Sequence, residues 1–367
     1  MVALGGAMAA TVLTQTFTAN PGAASANPAF TVTALTSQTM TQVSTAPSFA
    51  LVPLSQFNPT TGILIGARVS ASITTSVTAQ VTATGPTNGS NRTVAGSATY
   101  TGGVSGPGVT ATGGTPITAN VQCNGGNCLN SPNNNTTTSA ASTTFNSGGT
   151  VAAASLSSYH GAGTVDIATA GSLSVTTTTG SNLTTGSTLG IVNRAAGSNY
   201  TVTYDYLNFS SPSFNGSSVV RTFDLNFGTI HQANGLATLD FTLFNIGNAN
   251  SAGFDLVSLG RDGNALFTTT LAPFSGQANN IDGGQSRTFS VSVTPTTLGS
   301  KVEQFRLALR DSAVDVGTGL GAKDFDMTLN VFALVLPEPG TWLSMIIGFG
   351  LIGSAARRQR RAGLAAA

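Results

Sequence analysis

The sequence predicts an all-β protein: two antiparallel sandwich-like domains followed by one short C-terminal transmembrane helix. Three observations carry this reading. Apolar residues recur with period two in both halves of the chain, no segment before Pro339 keeps helical spacing, and charge is scarce and unevenly placed. Only 7% of the 367 residues are charged, against ~25% in ordinary soluble domains, while 40% are hydrophobic. That balance excludes an acid-rich disordered chain. A formal net charge of +1 leaves no basic footprint for DNA or RNA, so nucleic acid is not expected as a partner.

Charge also marks the domain boundary. Residues 1–207 carry five charged side chains (Arg68, Arg92, Asp166, Arg194 and Asp205), and a further 17 lie between 208 and 336. We therefore expect a Thr/Ser-rich β domain over 14–207 and an Ig-like β-sandwich over 208–335. Within the first, every odd position from Val69 to Val81 is apolar or β-branched and the even ones are Ser, Thr or Gln, the pattern of a long strand with one dry face. The stretch 111–150 is dominated by Gly, Asn, Pro, Ser and Thr, which favour turns, and it reads as a long low-complexity loop. Val202, Tyr204 and Tyr206 then alternate again.

The second domain repeats the pattern in Leu239, Phe241 and Leu243, in Phe289, Val291 and Val293, in Phe305, Leu307 and Leu309, and in Phe325, Met327, Leu329 and Val331. Its strands end in turn residues: Asn245-Ile-Gly-Asn248, Asp262-Gly263, Asp282-Gly-Gly284 and Pro295. Many short strands with regular turns must pack sheet on sheet. Thr and Ser keep the outer faces wet without charge, and lightly charged edges leave self-association open.

The tail, 336–367, has three parts. Pro337-Glu338-Pro339 stops the sheet, because neither proline can donate to a ladder, and Pro339 can open a helix. The 15 residues from Trp342 to Ala356 carry no charge; as a helix they cover roughly 22 Å, short of a ~30 Å hydrocarbon core. Arg357, Arg358, Arg360 and Arg361 follow, and the positive-inside rule makes their side cytoplasmic, with Trp342 at the opposite interface.

This ending resembles the PEP-CTERM sorting signal of Gram-negative bacteria, with Pro337, Glu338 and Pro339 as the motif, Trp342, Met345, Gly348, Phe349 and Gly350 in the expected helix positions, and the arginines as the basic cluster. The resemblance implies exosortase, a membrane transpeptidase-like protein with a cysteine nucleophile, as the partner, a transient stay in the inner membrane, and delivery to the outer surface or extracellular matrix in an exopolysaccharide or biofilm setting. An ordinary single-pass anchor is the alternative. Thr16-Phe-Thr-Ala-Asn-Pro-Gly22, Leu54-Ser-Gln-Phe57-Asn-Pro59-Thr-Thr-Gly62-Ile-Leu64, Tyr159-His-Gly-Ala-Gly-Thr-Val-Asp166 and the strand Tyr200 to Tyr206 look like the choice-of-anchor E domain. Leu225-Asn-Phe-Gly228, Phe241-Thr-Leu-Phe-Asn245-Ile-Gly-Asn248, Gly284-Gln-Ser-Arg-Thr-Phe289 and Val293-Thr-Pro295-Thr-Thr-Leu-Gly299 look like an Ig-like module of the choice-of-anchor D or ASPM-SPD-2-hydin type. A chain with this ending needs a secretory signal. Residues 1–13, with Ala7-Met8-Ala9 in small-x-small form, read as the remnant of one whose start lies upstream; the alternatives are an atypical signal or a mature start.

Catalytic chemistry finds little to work with. Cys123 and Cys128, in Cys-Asn-Gly-Gly-Asn-Cys, are expected to form a loop disulfide after export, since a zinc site would need two further ligands nearby. His160 and His231 stand apart from any paired nucleophile and read as surface or satisfied polar residues. Asp311, Asp315, Asp324 and Asp326 lack EF-hand spacing and read as a solvated hairpin loop. No catalytic residue, metal or cofactor is assigned. The expected function is a non-catalytic, exported envelope or matrix protein whose partner beyond exosortase is polysaccharide or itself. The competing reading is a carbohydrate-binding or adhesive surface module, permanently anchored, for which Tyr159, Tyr200, Tyr204 and Tyr206 are the only obvious supply of sugar-stacking rings.

Overall fold

The computed structural model describes residues 11–25, 30–35, 38–45, 49–84, 93–124, 135–180, 185–232, 235–263, 266–276, 279–312 and 319–364. It divides at Tyr206/Leu207 into two compact units, and the segment Thr318–Gly321 belongs with the first.

The first unit contains β1 (Leu13–Ala19), β2 (Ala24–Ser25), β3 (Phe30–Leu35), β4 (Thr39–Thr45), β5 (Val52–Ser55), β6 (Ile63–Thr84), β7 (Thr93–Gly106), β8 (Val109–Asn124), β9 (Asn135–Thr150), β10 (Thr164–Thr179), β11 (Thr185–Arg194) and β12 (Asn199–Leu207). The 22-residue β6 is the spine of a seven-stranded sheet ordered β1-β12-β6-β11-β2, with β3 added to β11 and β9 to β6. Strands β4-β10-β7-β8, with β5 on β10, form the second sheet. The alternation predicted along β6 holds: Val69, Ala71, Ile73, Thr75, Val77, Ala79 and Val81 are all buried. Glycine lets the layers close. A Cβ at Gly102 of β7 would stand 2.1 Å from the Phe145 ring of β9, so only hydrogen fits under that ring.

The predicted loop over 111–150 is strand over 111–124 and 135–150, and residues 125–134 lie outside the described residues. These residues form most of β8 and the whole of β9, the latter antiparallel to β6 from Arg68↔Thr150 to Ala83↔Asn135. Turn-prone composition was overridden by tertiary context. Thr is β-branched and suits a pleated surface, and the long edge of β6 offers every residue of β9 a ladder partner. Leu13, placed with the signal remnant by the sequence, is paired with Tyr206 in β1; residues 1–10 lie outside the described residues.

Hydroxyl pairing takes the place of ion pairing on the outer faces. Thr41 and Thr176 lie 2.9 Å apart across β4 and β10, Thr74 and Thr144 2.7 Å apart across β6 and β9, and Thr99 and Thr118 2.8 Å apart across β7 and β8. Each hydroxyl can donate to its opposite number, which suits a sheet surface with few charges.

The second unit contains β13 (Pro212–Ser213), β14 (Thr222–His231), β15 (Ala237–Asn245), β16 (Gly253–Gly263), β17 (Phe267–Thr269), β18 (Ser286–Val293), β19 (Gly299–Ser312) and β20 (Asp324–Leu336). Two four-stranded sheets, β13-β15-β18-β17 and β14-β20-β19-β16, enclose a core that includes Phe241, Leu243, Phe254, Val291, Phe305, Leu307, Leu329 and Val331. The all-antiparallel expectation needs one correction, because β14 and β20 run parallel. The strands between them, β15 to β19, supply the long crossover a parallel pair requires.

Beyond β20 comes α1 (Pro339–Leu364), a 26-residue helix. It forms over the expected 342–356 and continues through the arginines, since Ala and Arg are strong helix formers. Among the described residues no helix is long and apolar enough to cross a membrane.

Candidate functional site: the C-terminal segment and its support

The ladder between β14 and β20 runs, across one bulge between Asn226 and Thr229, to His231↔Leu336. Only Pro337 and Glu338 separate that last pair from Pro339, the first residue of α1. Fixed proline φ values suit both neighbours, an extended exit from the sheet and a first helical turn that needs no N–H donor. The motif thus supplies a two-residue joint between strand and helix and the first residue of the helix. His231 Nδ1 lies 3.1 Å from the Pro337 carbonyl oxygen, so its Nδ1–H donates to that oxygen. From the sequence alone His231 reads as a surface or satisfied polar residue. No local signal could have found this role, because its partner lies 106 positions away.

Glu338 is exposed, and so are the apolar side chains that follow it in α1: Trp342 is 53% exposed, Met345 50% and Phe349 67%. Gly348 is half-buried and Gly350 exposed. Arg357 and Arg358 are exposed, and Arg360 and Arg361 continue the same helix. The two hydroxyls of the uncharged stretch turn inward on the helix: Ser344 Oγ donates to Gly340 O (2.9 Å) and Ser354 Oγ to Leu351 O (2.8 Å). The helix therefore offers an apolar surface whose polar side chains are already hydrogen-bonded.

In the first unit two motifs separated in the sequence, around Phe57 and around His160, come together. Phe57 N donates to Tyr159 O (2.8 Å) and Gly161 N to Phe57 O (3.0 Å), a parallel bridge between Phe57 and His160. Gln56 clamps the same turn, donating from Nε2 to Ser158 O (2.9 Å) and accepting at Oε1 from Gly163 N (3.0 Å). Tyr204 packs edge-on to Phe57 and donates its hydroxyl to Ser55 O (2.8 Å). Burial pushes the Tyr159 phenol up to about 12 and raises Tyr204 further. The rings offered for sugar stacking are thereby used up: Tyr159, Tyr200 and Tyr204 are fully buried and Tyr206 packs against the core.

The carboxylates read as a solvated hairpin loop sit elsewhere. Asp311 is buried on β19, where Oδ1 accepts from Ser210 N (2.8 Å) and Oδ2 from Lys323 N (2.9 Å); burial raises its pKa against those hydrogen bonds. Asp324 and Asp326 lie on β20, and Asp315 lies outside the described residues. No group of three or more His, Cys, Asp or Glu side chains that could hold a metal occurs among the described residues. Cys123 is buried near the end of β8 opposite Val94; Cys128 lies outside the described residues.

No family model matches the chain, and no curated protein does. Solved structures show limited similarity. The VesB protease of Vibrio cholerae is 16% identical over 37% of this chain and 37% of its own, with a TM-score of 0.22. PapD-like domain 7 of human CEP192 is 10% identical over 32% of this chain and 84% of its own, at 0.24. The E. coli chaperone DraB is 14% identical over 31% of this chain and 58% of its own, at 0.19. The chain spans little more than a third of the VesB chain.

Proposed function

We propose that the protein is an exported, non-catalytic envelope or matrix component that exosortase processes at its C-terminus. The observation that carries this reading is the tail: Pro337-Glu338-Pro339 directly before a helix whose large apolar side chains are exposed and whose last turns hold four arginines. An apolar helix whose large described side chains are exposed belongs in lipid. Its 15 uncharged residues are too few to span comfortably, so the bilayer must thin or draw in flanking residues. Such a helix suits a transient stay better than permanent anchoring. Cleavage near the motif releases a near-neutral, hydroxyl-rich β body from a fragment holding all four tail arginines.

The body is the cargo, and its neutral outer face suits an uncharged or weakly charged polysaccharide, or a second copy of the chain. One shallow depression of about 400 Å³ on the first unit is lined by Ser70, Ser72, Asn146, Asn199 and Thr201, all able to hydrogen-bond to sugar hydroxyls. The buried tyrosines disfavour the competing ring-stacking lectin. In the native host, C-terminal peptides of the surface-localised protein should end close to Pro339. Replacing Pro337, Glu338 and Pro339 with alanine, or deleting exosortase, should retain the full-length chain in the inner membrane. Surface protein that keeps Trp342–Ala356, or an unchanged location without exosortase, would establish the plain single-pass anchor instead.

A further inference from the structure

A protease or transpeptidase reads its substrate as extended backbone on both sides of the bond it attacks, in the manner of strand addition. The joint here offers very little free chain. Leu336 is still in the ladder with His231, the Pro337 carbonyl is taken by the His231 imidazole, and helix begins at Pro339. Presenting the motif in extended form therefore requires breaking the His231–Pro337 bond and unpairing the end of β20.

Two features of the fold set this arrangement. Parallel pairing sends β14 and β20 out at the same end, which brings His231 beside the start of the tail; an antiparallel pair would have brought Thr222 there instead. A bulge then sets the register. Asn226 pairs with Phe332 but Thr229 with Leu334, so one residue of β14 is absorbed between them. Gly228 allows it with a φ of 65°, its N–H donating to Asn226 Oδ1 at 2.8 Å. Without the bulge His231 would face Pro337, which has no N–H to pair. With it, His231 pairs with Leu336 and its side chain reaches one residue onward to the Pro337 carbonyl.

We propose that His231 is a positioning residue for C-terminal processing: it clamps the Pro337 carbonyl and holds the sorting motif closed, so that release of this clamp limits access to the motif. This rests on the processing reading above. A neutral hydrogen bond of the usual net strength corresponds to about a two- to tenfold change in the opening equilibrium.

The test compares the full-length chain with His231→Ala, with His231→Phe, which keeps a ring but no donor, and with His231→Asn, whose amide can donate from nearly the same place. Circular dichroism first identifies which variants keep the wild-type strand content. In detergent micelles, hydrogen exchange of peptides covering Leu334 to Glu338 should be about two- to tenfold faster in His231→Ala or His231→Phe and near wild type in His231→Asn. Unchanged exchange in both donor-less variants overturns the clamp. In the host, pulse-chase should show conversion to the shortened form accelerated by a similar factor in the donor-less variants and restored by His231→Asn. Conversion that is unchanged or slower, while the wild type is processed, overturns the limiting role. If the wild type itself is never shortened, processing by exosortase fails and the limiting role with it, whereas the exchange measurement still decides whether His231 holds the motif.

Discussion

His160 stacks on Phe57, with ring centroids 6.3 Å apart and planes 28° from parallel, although 103 residues separate them in sequence. The parallel bridge between their backbones makes this contact the seam between two motifs that sequence alone could only assign to the same domain. His160 Nε2 is buried with no hydrogen-bond partner among the described residues, and burial lowers the pKa of the ring below its ordinary value of 6.5.

This gives a pH dependence with a definite sign. The unfolded chain takes up a proton near pH 6.5, before the folded one does, so stability conferred by the neutral ring is full above that pH and is lost as pH falls toward the lowered folded value. Thermal unfolding between pH 7 and pH 5 should show a decline in the wild type that is smaller in His160→Phe. Asp255 and Asp311, both raised by burial, act in the opposite sense at lower pH and are common to both proteins. Equal slopes in the two would remove His160 from the account.

Phe145 tests the strand that replaced the expected loop. It is buried on β9 beneath Gly102, so Phe145→Ala should cost about 3–5 kcal/mol, read by denaturant unfolding followed by circular dichroism. A loop residue at this position would show almost no effect.

Asn245, read from the sequence as a turn residue, is buried and makes hydrogen bonds with four separate backbone groups. Oδ1 accepts from Ser211 N (3.0 Å) and Gly247 N (3.2 Å), and Nδ2 donates to Ala252 O (2.9 Å) and Ile281 O (3.0 Å). Asn245→Ala strands buried backbone groups in three segments and should destabilise the protein by about 2–4 kcal/mol. Asn245→Asp keeps the acceptor but not the donor, and should also lose stability. A near-neutral Asn245→Ala would contradict the role.

Cys123 and Cys128 should be joined after export, given their spacing and an oxidising destination. Mass spectrometry of secreted protein, alkylated without reduction, should find neither thiol labelled; two labelled cysteines would refute the bond.

Period-two burial is a local property, because successive side chains of a strand point to opposite faces. It is legible at Val69 to Val81 and at Phe305, Leu307 and Leu309 without knowing what those residues touch, and the all-β character of the chain was determined at that level. So was the tail, whose proline, apolar and arginine blocks are contiguous. Strand identity for 135–150 was not, since its Thr, Ser and Asn residues form a strand only because the edge of β6 is there to pair with. The roles of His231, Asn245 and His160 likewise depended on partners between 34 and 106 residues away or on backbone brought in from distant strands, as the Ser211 and Pro337 contacts show. Composition and periodicity decide what a segment can be; parallel or antiparallel pairing, register and the bulge at Phe227–Gly228 decide which residues meet, and these exist only once the sheets have assembled.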